Sequence, residues 1–282
     1  MRSESRTQPS PPAPAVRYRD VLTRSARVRV GELGEGRPIV LLHDLFASHE
    51  DFNRVIAALA ESMHVILIDL PGFGESEKPR KYAYGYEGFA ETVLDAIAAL
   101  NVSRVTLLGH GFGGGIALTL ASRHPSVTER LVLVDPAVYE LRPTLLFRLA
   151  STPGLGRLLL KQLLGARGFA RLMPTSEIRT GQVRAEYERF KSPDGREAAV
   201  LALDACLDLR PVRAVVPRIA TPTLVVWGDS DPLLSPHEGR RLARELARGT
   251  LVVLGAGHWP HQEQPEPFVE HVAAFVQESG AP

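Results

Sequence analysis

The chain has 282 residues, 44% of them hydrophobic, which is enough for one large core. Its 33 basic residues balance 32 acidic ones, so the net charge of +1 gives no electrostatic support for binding nucleic acid or an anionic membrane. The single cysteine, Cys206, excludes an internal disulfide and a cysteine-based metal site, and a cytoplasmic location suits such a chain.

The N-terminal segment, residues 1–17, is rich in proline, serine and arginine and lacks the apolar stretch of a signal peptide. We predict that it is a disordered tail. No part of the chain approaches the roughly 18–20 consecutive apolar residues that span a bilayer, so no membrane span is expected.

Buried strands and amphipathic helices alternate along most of the chain. Period-two runs between residues 18 and 34 indicate half-exposed antiparallel strands, whereas later continuous apolar runs are typical of strands covered on both faces. Those later strands are expected at 39–42, 65–68, 105–108, 131–134, 223–227 and 251–254. Helical spacing of apolar residues predicts helices at 52–60, 86–100, 112–122, 236–248 and 266–278. The alternation predicts an α/β fold with a mostly parallel sheet.

The alternation stops between residues 137 and 218, where the sequence is helical in character, contains several prolines and has no buried strand. We therefore predict a core formed by residues 18–136 and 219–280, with 137–218 as a helical insertion above one end of the sheet. Its apolar side chains favour a small, hydrophobic or mixed ligand and include Leu145, Leu146, Phe147, Leu158, Leu159, Leu160 and Phe169.

Candidate functional residues follow the carboxyl ends of the predicted strands, where such sheets bind ligands. Asp231 and His258 follow the last two strands, and a carboxylate holding one imidazole nitrogen would make His258 a general base. A third element is the strand-to-helix turn at residues 109–113, Gly-His-Gly-Phe-Gly, which we call the elbow. In a G-x-S-x-G elbow the central serine is an exposed nucleophile.

Six segments together resemble the α/β-hydrolase superfamily, in the branch of small bacterial enzymes that cleave esters, lactones and carbon–carbon bonds. They are LLHDLFAS (41–48), DLPGFGES (69–76), LLGHGFGGG (107–115), LVLVDPA (131–137), TPTLVVWGDSDPLLSP (221–236) and GAGHWPHQEQPEPF (255–268). The resemblance implies an eight-stranded sheet, a helical cap at 137–218, and Asp231 and His258 as the acid and base of a triad. It places Gly111 at the position of the serine, and Leu45 and Phe112 as oxyanion-hole donors.

Two residues depart from the pattern of the family. Gly111 has no side chain and cannot attack a substrate, although glycine relieves the backbone strain of an elbow. Asp44 stands where the family usually has glycine, and an inward-pointing carboxylate would oppose a developing oxyanion. The sequence leaves the orientation of Asp44 open.

These residues support two hypotheses of different class. In the first, the His258–Asp231 pair is the general base of an enzyme with hydrolase or lyase-like chemistry and no covalent serine intermediate. In the second, the protein is a non-catalytic relative that binds a small ligand. Neither hypothesis requires a metal or an organic cofactor, and the sequence does not distinguish a monomer from a dimer.

A remote alternative is a dinucleotide site, because Gly109, Gly111 and Gly114 form a G-x-G-x-x-G that is followed 21 residues later by Asp135. The motifs around Asp231 and His258 would then have no role, so we rank this interpretation last.

Other residues of these loops have simpler expected roles. His43, Asp44, His110 and Trp259 are candidates for lining the pocket, and His110 is also expected to have a structural role beside the elbow. Asp69 and Asp135 are expected to shape loops by accepting hydrogen bonds, and His261 is expected to be exposed.

Overall fold

One eight-stranded sheet forms the centre of the computed structural model, which describes residues 15–140, 152, 158, 165–172 and 180–278. The spatial order is β1-β2-β4-β3-β5-β6-β7-β8; the first two pairings are antiparallel and the other five parallel. The predicted mostly parallel α/β sheet is therefore confirmed. The strands are β1 (Arg17–Leu22), β2 (Arg27–Leu33), β3 (Arg37–Leu42), β4 (Met63–Ile68), β5 (Val105–His110), β6 (Thr128–Val134), β7 (Thr223–Gly228) and β8 (Gly249–Leu254).

The central strands are apolar throughout because both faces of the sheet are covered. Along β3, Val40 and Leu42 pack into one hydrophobic cluster, whereas Ile39 and Leu41 pack into another on the opposite face. Successive side chains of a strand point to opposite faces, so an uninterrupted apolar run supplies both clusters at once.

The described residues contain ten α-helices. They are α1 (Ile56–Leu59), α2 (Tyr86–Ala99), α3 (Phe112–Arg123), α4 (Ala166–Leu172), α5 (Thr180–Phe190), α6 (Pro193–Leu207), α7 (Arg210–Val215), α8 (Pro236–Glu245), α9 (Pro260–Glu263) and α10 (Pro265–Gln277). None of these helices combines the length and apolar character needed to cross a membrane.

The helix predicted at 52–60 is wrong in detail. A 3₁₀-helix covers His49–Phe52, and only Ile56–Leu59 is α-helical. The Ser48 side chain accepts a hydrogen bond from the Glu50 amide and so caps the 3₁₀-helix. Asp51 of this 3₁₀-helix also makes the buried polar contacts described below.

The chain ends and parts of the insertion lie outside the described residues. Residues 1–14 of the predicted tail are among them, whereas Arg17 already belongs to β1. Leu145, Leu146, Phe147, Leu159 and Leu160 also lie outside, so their predicted contribution to a ligand site stays a prediction. Helices α4 to α7 lie between β6 and β7, in the region predicted as a cap.

Arg189 of α5 connects the insertion to the core through two ion pairs. Its guanidinium bonds Glu50 at 2.7 Å, after β3, and Glu75 at 2.8 Å, after β4. Helix α5 therefore faces the loops that leave the carboxyl edge of the parallel strands, and this edge carries the candidate site.

Candidate active site

The elbow between β5 and α3 is a tight turn centred on Gly111. This residue has φ 51° and ψ −112°, a conformation that L-residues with side chains rarely adopt. A Cβ atom on Gly113 would lie only 2.2 Å from the Leu42 carbonyl oxygen. The first turn of α3 therefore packs directly on the end of β3 and places the Phe112 amide beside the loop that carries Asp44.

The Asp44 carboxylate lies in the space that a side chain at position 111 would need. A Cβ atom on Gly111 would be 2.1 Å from Asp44 Oδ1. The Phe112 amide, predicted as an oxyanion-hole donor, donates to this same oxygen at 2.7 Å. The orientation that the sequence left open is thus inward, and the carboxylate occupies both the nucleophile position and the Phe112 donor.

His258 connects Asp44 to Asp231. Its Nδ1–H donates to Asp231 Oδ2 at 2.7 Å, and its Nε2–H donates to Asp44 Oδ2 at 3.3 Å. Asp231 Oδ1 accepts from the Leu233 and Leu234 amides at 2.7 and 3.0 Å, which fixes that carboxylate in its loop. Three groups from the ends of three strands therefore form one continuous row.

The charges in this row stabilise one another. Burial would lower the pKa of His258, but Asp231 and Asp44 raise it well above its usual value. Burial would raise the pKa values of both carboxyls, yet His258 lowers each of them, aided by His110 at Asp44 and by the loop amides at Asp231. At neutral pH the site holds an imidazolium between two carboxylates.

This charge state changes the role predicted for His258. An imidazolium has no lone pair with which to accept a proton, so it is an acid in this state. It becomes a base only after Asp44 is neutralised or moved, because Asp44 is one of the two groups that hold its proton.

Asp135, at the end of β6, is a fourth carboxyl next to the row. Burial and the charge of Asp231 raise its pKa well above the usual value. Its Oδ1 accepts from the Gly228 amide at 3.0 Å, in line with the expected loop-shaping role. Asp69 has such a role after β4, where it accepts from the His49 and Glu75 amides.

A second buried polar cluster, centred on Asp51, supports the row from behind. His110 donates from Nδ1 to Asp51 Oδ2 and from Nε2 to the His258 carbonyl oxygen, both at 2.7 Å. His261 Nε2 donates to the Asp51 carbonyl oxygen at 3.0 Å, and Gln262 donates to the Asp51 side chain. The prediction that His261 is exposed is wrong, because the ring is fully buried against Asp51 and Phe52.

The remaining candidates pack around these clusters. His43 is fully buried; its Nδ1–H donates to the Asp44 carbonyl oxygen and its Nε2 accepts from the Leu70 amide, so it shapes the loop. Trp259 packs edge-on against His258 with ring centres 5.0 Å apart. Leu45 is 6% exposed beside Asp44, and its role as an oxyanion-hole donor stays a prediction.

The sequence reasoning missed Asp51 and His49. Asp51 is fully buried, and His49 Nδ1 donates to Asp69 Oδ1 at 2.9 Å. Their one sequence signal is a run of three ionisable residues, His49 to Asp51, immediately before the predicted helix that begins at Phe52. The Phe112 ring is only 1% exposed, because it packs on Tyr86 and Phe89 in the core.

Carboxylate and imidazole groups of this kind could in principle hold a metal ion. Three sets have ligand atoms within 4.8 Å of one another in the described residues: Asp44, His110 and His258; Asp51, His110 and His261; and Asp135, Asp231 and His258. However, both nitrogens of His110 and of His258 already donate to protein oxygens. A metal would have to displace these bonds, so the residues do not form a ready metal site.

A small pocket lies between the insertion and the loops at the carboxyl edge. Its wall includes residues 46–48, directly after Asp44 and Leu45, and the apolar rings of Phe46, Phe73 and Phe190. Phe46 also meets Phe169, with ring centres 6.1 Å apart. The pocket wall therefore combines three aromatic rings with the charged residues Lys78, Glu186 and Arg189, and Asp44 and His258 are not part of it.

Comparisons with known proteins agree with this architecture. Residues 37–265 match the family model described as the alpha/beta hydrolase fold. The chain is 29% identical over 248 residues to an uncharacterized hydrolase, YugF, of Bacillus subtilis, covering 85% of this chain and 89% of that protein. It is 28% identical to 2-hydroxymuconate semialdehyde hydrolase of Pseudomonas sp. strain CF600, covering 93% and 95%. The crystal structure of an enol-lactonase from Burkholderia xenovorans superposes with a TM-score of 0.72 at 27% identity, covering 92% and 100%.

Proposed function

Because the chain belongs to the alpha/beta hydrolase fold family, we propose that it hydrolyses a small, largely apolar molecule by proton transfer at His258 and Asp231, without a serine intermediate. The observation that carries this proposal is the His258 ring, held between Asp231 at 2.7 Å and Asp44 at 3.3 Å directly above the elbow. The proton on His258 Nε2 is thus held at a defined position, from which the ring can donate it to a substrate group.

The structure supports a two-stage use of His258. In the resting charge state the imidazolium is a proton donor to a leaving group. Once the negative charge of Asp44 is lost or displaced, the pKa of His258 falls, and its Nε2 can take a proton from water. Asp231 stays hydrogen-bonded to Nδ1 in both stages and keeps the ring in place.

Two further features support the small, apolar substrate class. The aromatic wall formed by Phe46, Phe73 and Phe190 favours apolar groups. Relatives are described as hydrolases of small organic molecules, among them the semialdehyde hydrolase and the enol-lactonase named above. A lyase-like cleavage at the same acid–base pair is compatible with these features.

A panel of 4-nitrophenyl butyrate, dihydrocoumarin and styrene oxide tests the proposal. We expect hydrolysis of at least one compound, and a loss of roughly 10²–10⁴-fold in kcat/KM in His258→Ala, since that is the usual effect of removing an acid–base group. The matched control is His237→Ala, because His237 is an exposed histidine of α8 and its removal leaves the rate unchanged. Turnover that survives His258→Ala contradicts the proposal.

A non-catalytic ligand-binding protein is the second candidate, and a specific observation favours it. Asp44 fills the nucleophile position, pairs with His258 and occupies the Phe112 amide, which leaves this donor without room for a substrate oxyanion. If the protein only binds a ligand, one of the panel compounds should raise its melting temperature, and by the same amount in the wild type and in His258→Ala. None of the compounds should then be turned over.

The dinucleotide interpretation loses its physical basis in this arrangement. The N-terminus of α3 would have to bind the pyrophosphate, but the Asp44 carboxylate already accepts from the Phe112 amide there. Two further negative charges beside an ionised carboxylate would be repelled.

A further inference from the structure

We propose that Asp44 is the nucleophile of this protein and that its substrates are epoxides, which it opens through a covalent ester on its own side chain. This inference rests on the proposed hydrolytic function and names both the attacking atom and the substrate class. It follows from the position of a carboxylate where the fold places an attacking group, and from the atoms around each of its two oxygens.

The position of Asp44 compensates for the missing side chain at the elbow. Its Oδ1 is 2.1 Å and its Cγ 2.4 Å from the point that a Cβ of residue 111 would occupy, so the two side chains exclude each other. The carboxylate comes from the end of β3, whereas the elbow follows β5, its neighbour in the sheet. Although it comes from a different strand, the carboxylate lies at the N-terminus of α3 in the volume that a side chain at position 111 would occupy.

The two oxygens of Asp44 have different environments. Oδ1 accepts a 2.7 Å hydrogen bond from the Phe112 amide, which fixes the plane of the carboxylate. Oδ2 has the longer, 3.3 Å contact with His258 Nε2 and is the oxygen nearer the proton donor. The side chain of Asp44 is 15% exposed, in contrast to 2% for His258, so a substrate reaches the carboxylate before the imidazole. Oδ2 is therefore the attacking atom.

The occupied Phe112 amide favours an epoxide over a carbonyl substrate. An ester or lactone needs free donors for the oxyanion formed on its own carbonyl oxygen, and Asp44 Oδ1 takes the Phe112 donor. An epoxide needs a nucleophile and a proton donor instead. Asp44 and the His258 imidazolium supply them from adjacent positions.

In the first step, Asp44 Oδ2 attacks one ring carbon and the carbon–oxygen bond of that ring breaks. The released alkoxide takes the proton of His258 Nε2. The products are a hydroxyalkyl ester on Asp44 and a neutral His258, and no other reactant is consumed. Ring strain drives a displacement for which a weakly basic carboxylate is sufficient.

In the second step, water attacks Cγ of the Asp44 ester while His258 Nε2 takes one of its protons. Loss of the Asp44 charge has lowered the pKa of His258, so the ring now serves as the base. The negative charge develops on Oδ1, which already accepts from the Phe112 amide. The Cγ–Oδ2 bond then breaks, the diol leaves with Oδ2 and the second proton of the water, and Asp44 keeps the oxygen of the water. Both residues return to their starting charges.

Isotope transfer with 1,2-epoxy-3-(4-nitrophenoxy)propane tests the proposal in the unmodified protein. With enzyme in excess in H₂¹⁸O, the diol of the first turnover is expected to contain no ¹⁸O. After many turnovers, mass spectrometry of peptides is expected to place ¹⁸O on Asp44. Diol that carries ¹⁸O from the first turnover overturns the nucleophile role while leaving direct hydrolysis by the His258 pair intact.

Variants provide a second readout. His258→Ala removes the proton donor of the first step and the base of the second, so an adduct with the mass of the epoxide is expected to form more slowly, with solvent protonating the alkoxide, and then to accumulate on Asp44. Asp44→Asn is expected to form neither adduct nor diol. Asp229→Asn is the matched control, because Asp229 is an exposed carboxylate after β7 that lies outside the row. Absence of both diol and adduct in the wild-type protein overturns the substrate class, and ester hydrolysis in that same protein would still support the proposed function.

Discussion

At the scale of single residues, two departures from the family pattern form one unit. Gly111 removes a side chain, and Asp44 brings a carboxylate into the vacated volume, 2.1 Å from where a Cβ would lie. The inward Asp44 carboxylate fits only because residue 111 is glycine, since a side chain at 111 would collide with it. The pair replaces a side chain on the elbow with a carboxylate that comes from the end of the neighbouring strand.

Restoring serine therefore requires two substitutions. We expect Gly111→Ser alone to be destabilised by roughly 1–3 kcal/mol, because of the positive φ of 51° and the clash with Asp44, and to resist labelling by a fluorophosphonate probe. The double variant Asp44→Gly with Gly111→Ser is expected to be labelled, since the Phe112 amide and His258 are then available to the serine.

The measurement is labelling followed by intact mass. Asp44→Gly alone is the control and should remain unlabelled, because it contains no nucleophile in the elbow. Labelling of Gly111→Ser at the rate of the double variant would show that Asp44 moves aside freely.

At the scale of elements, the site depends on how closely α3 approaches the ends of β3 and β5. Gly109 and Gly113 have no side chains to separate them: a Cβ on Gly109 would lie 2.3 Å from the Gly113 carbonyl oxygen. This approach brings the Phe112 amide within 2.7 Å of a side chain on the β3 loop. Glycine at these positions reflects close packing, and one of them, Gly109, is also the first glycine of the G-x-G-x-x-G pattern.

The close packing predicts a difference between two helical glycines. Gly113→Ala is expected to lower the free energy of unfolding by about 1–3 kcal/mol, because the new methyl group would lie 2.2 Å from the Leu42 carbonyl oxygen. Gly181→Ala in α5 is expected to be neutral or to stabilise by about 0.5–1 kcal/mol, since nothing lies within 4 Å of its Cβ position. Urea unfolding of both variants checks this; equal stability would refute the tight contact.

At the scale of the whole molecule, the carboxyl edge of the sheet concentrates buried charge. Asp44, Asp51, Asp69 and Asp231 have lowered pKa values because histidines oppose the effect of burial. A carboxyl whose pKa is lower in the folded state than in the unfolded state contributes stability at pH values above its unfolded-state pKa. This contribution is lost as the pH falls through its folded-state pKa. His258 has a raised pKa in the folded state, so its contribution to stability is present at pH values below its unfolded-state pKa. That contribution is lost as the pH rises through its folded-state pKa.

The protein is therefore expected to lose stability at both ends of the pH range, and in acid below about pH 4 in particular. Asp51→Asn tests the acid limb, because the pKa of Asp51 is lowered well below its usual value and the residue contacts His110 and Gln262. We expect this variant to be less stable at pH 7 and to show a shallower decline in unfolding free energy between pH 5 and pH 3. A decline as steep as that of the wild type, measured by urea unfolding, would assign the acid limb to other groups.

The sequence predicted most of the fold because periodicity is a local property. Apolar runs such as residues 39–42 and 65–68 are sufficient to identify covered strands, and all of the predicted strands are present. The helix expected at 52–60 is α-helical only at Ile56–Leu59, and the preceding 3₁₀-helix contains Asp51, which contacts His110 and Gln262 from distant parts of the chain. His261, which looks like a surface residue in sequence, is also buried.

By itself, the sequence determined the family, the sheet and the identities of the residues at its carboxyl edge, because motif order and hydrophobic pattern are encoded along the chain. Only the tertiary structure decided where Asp44 points and which protonation states follow. Asp44, Gly111 and His258 are separated by 67 and 147 positions, yet the parallel strands bring them into contact. Charge states depend on distances between such groups and on their burial, and neither quantity exists until the strands have paired.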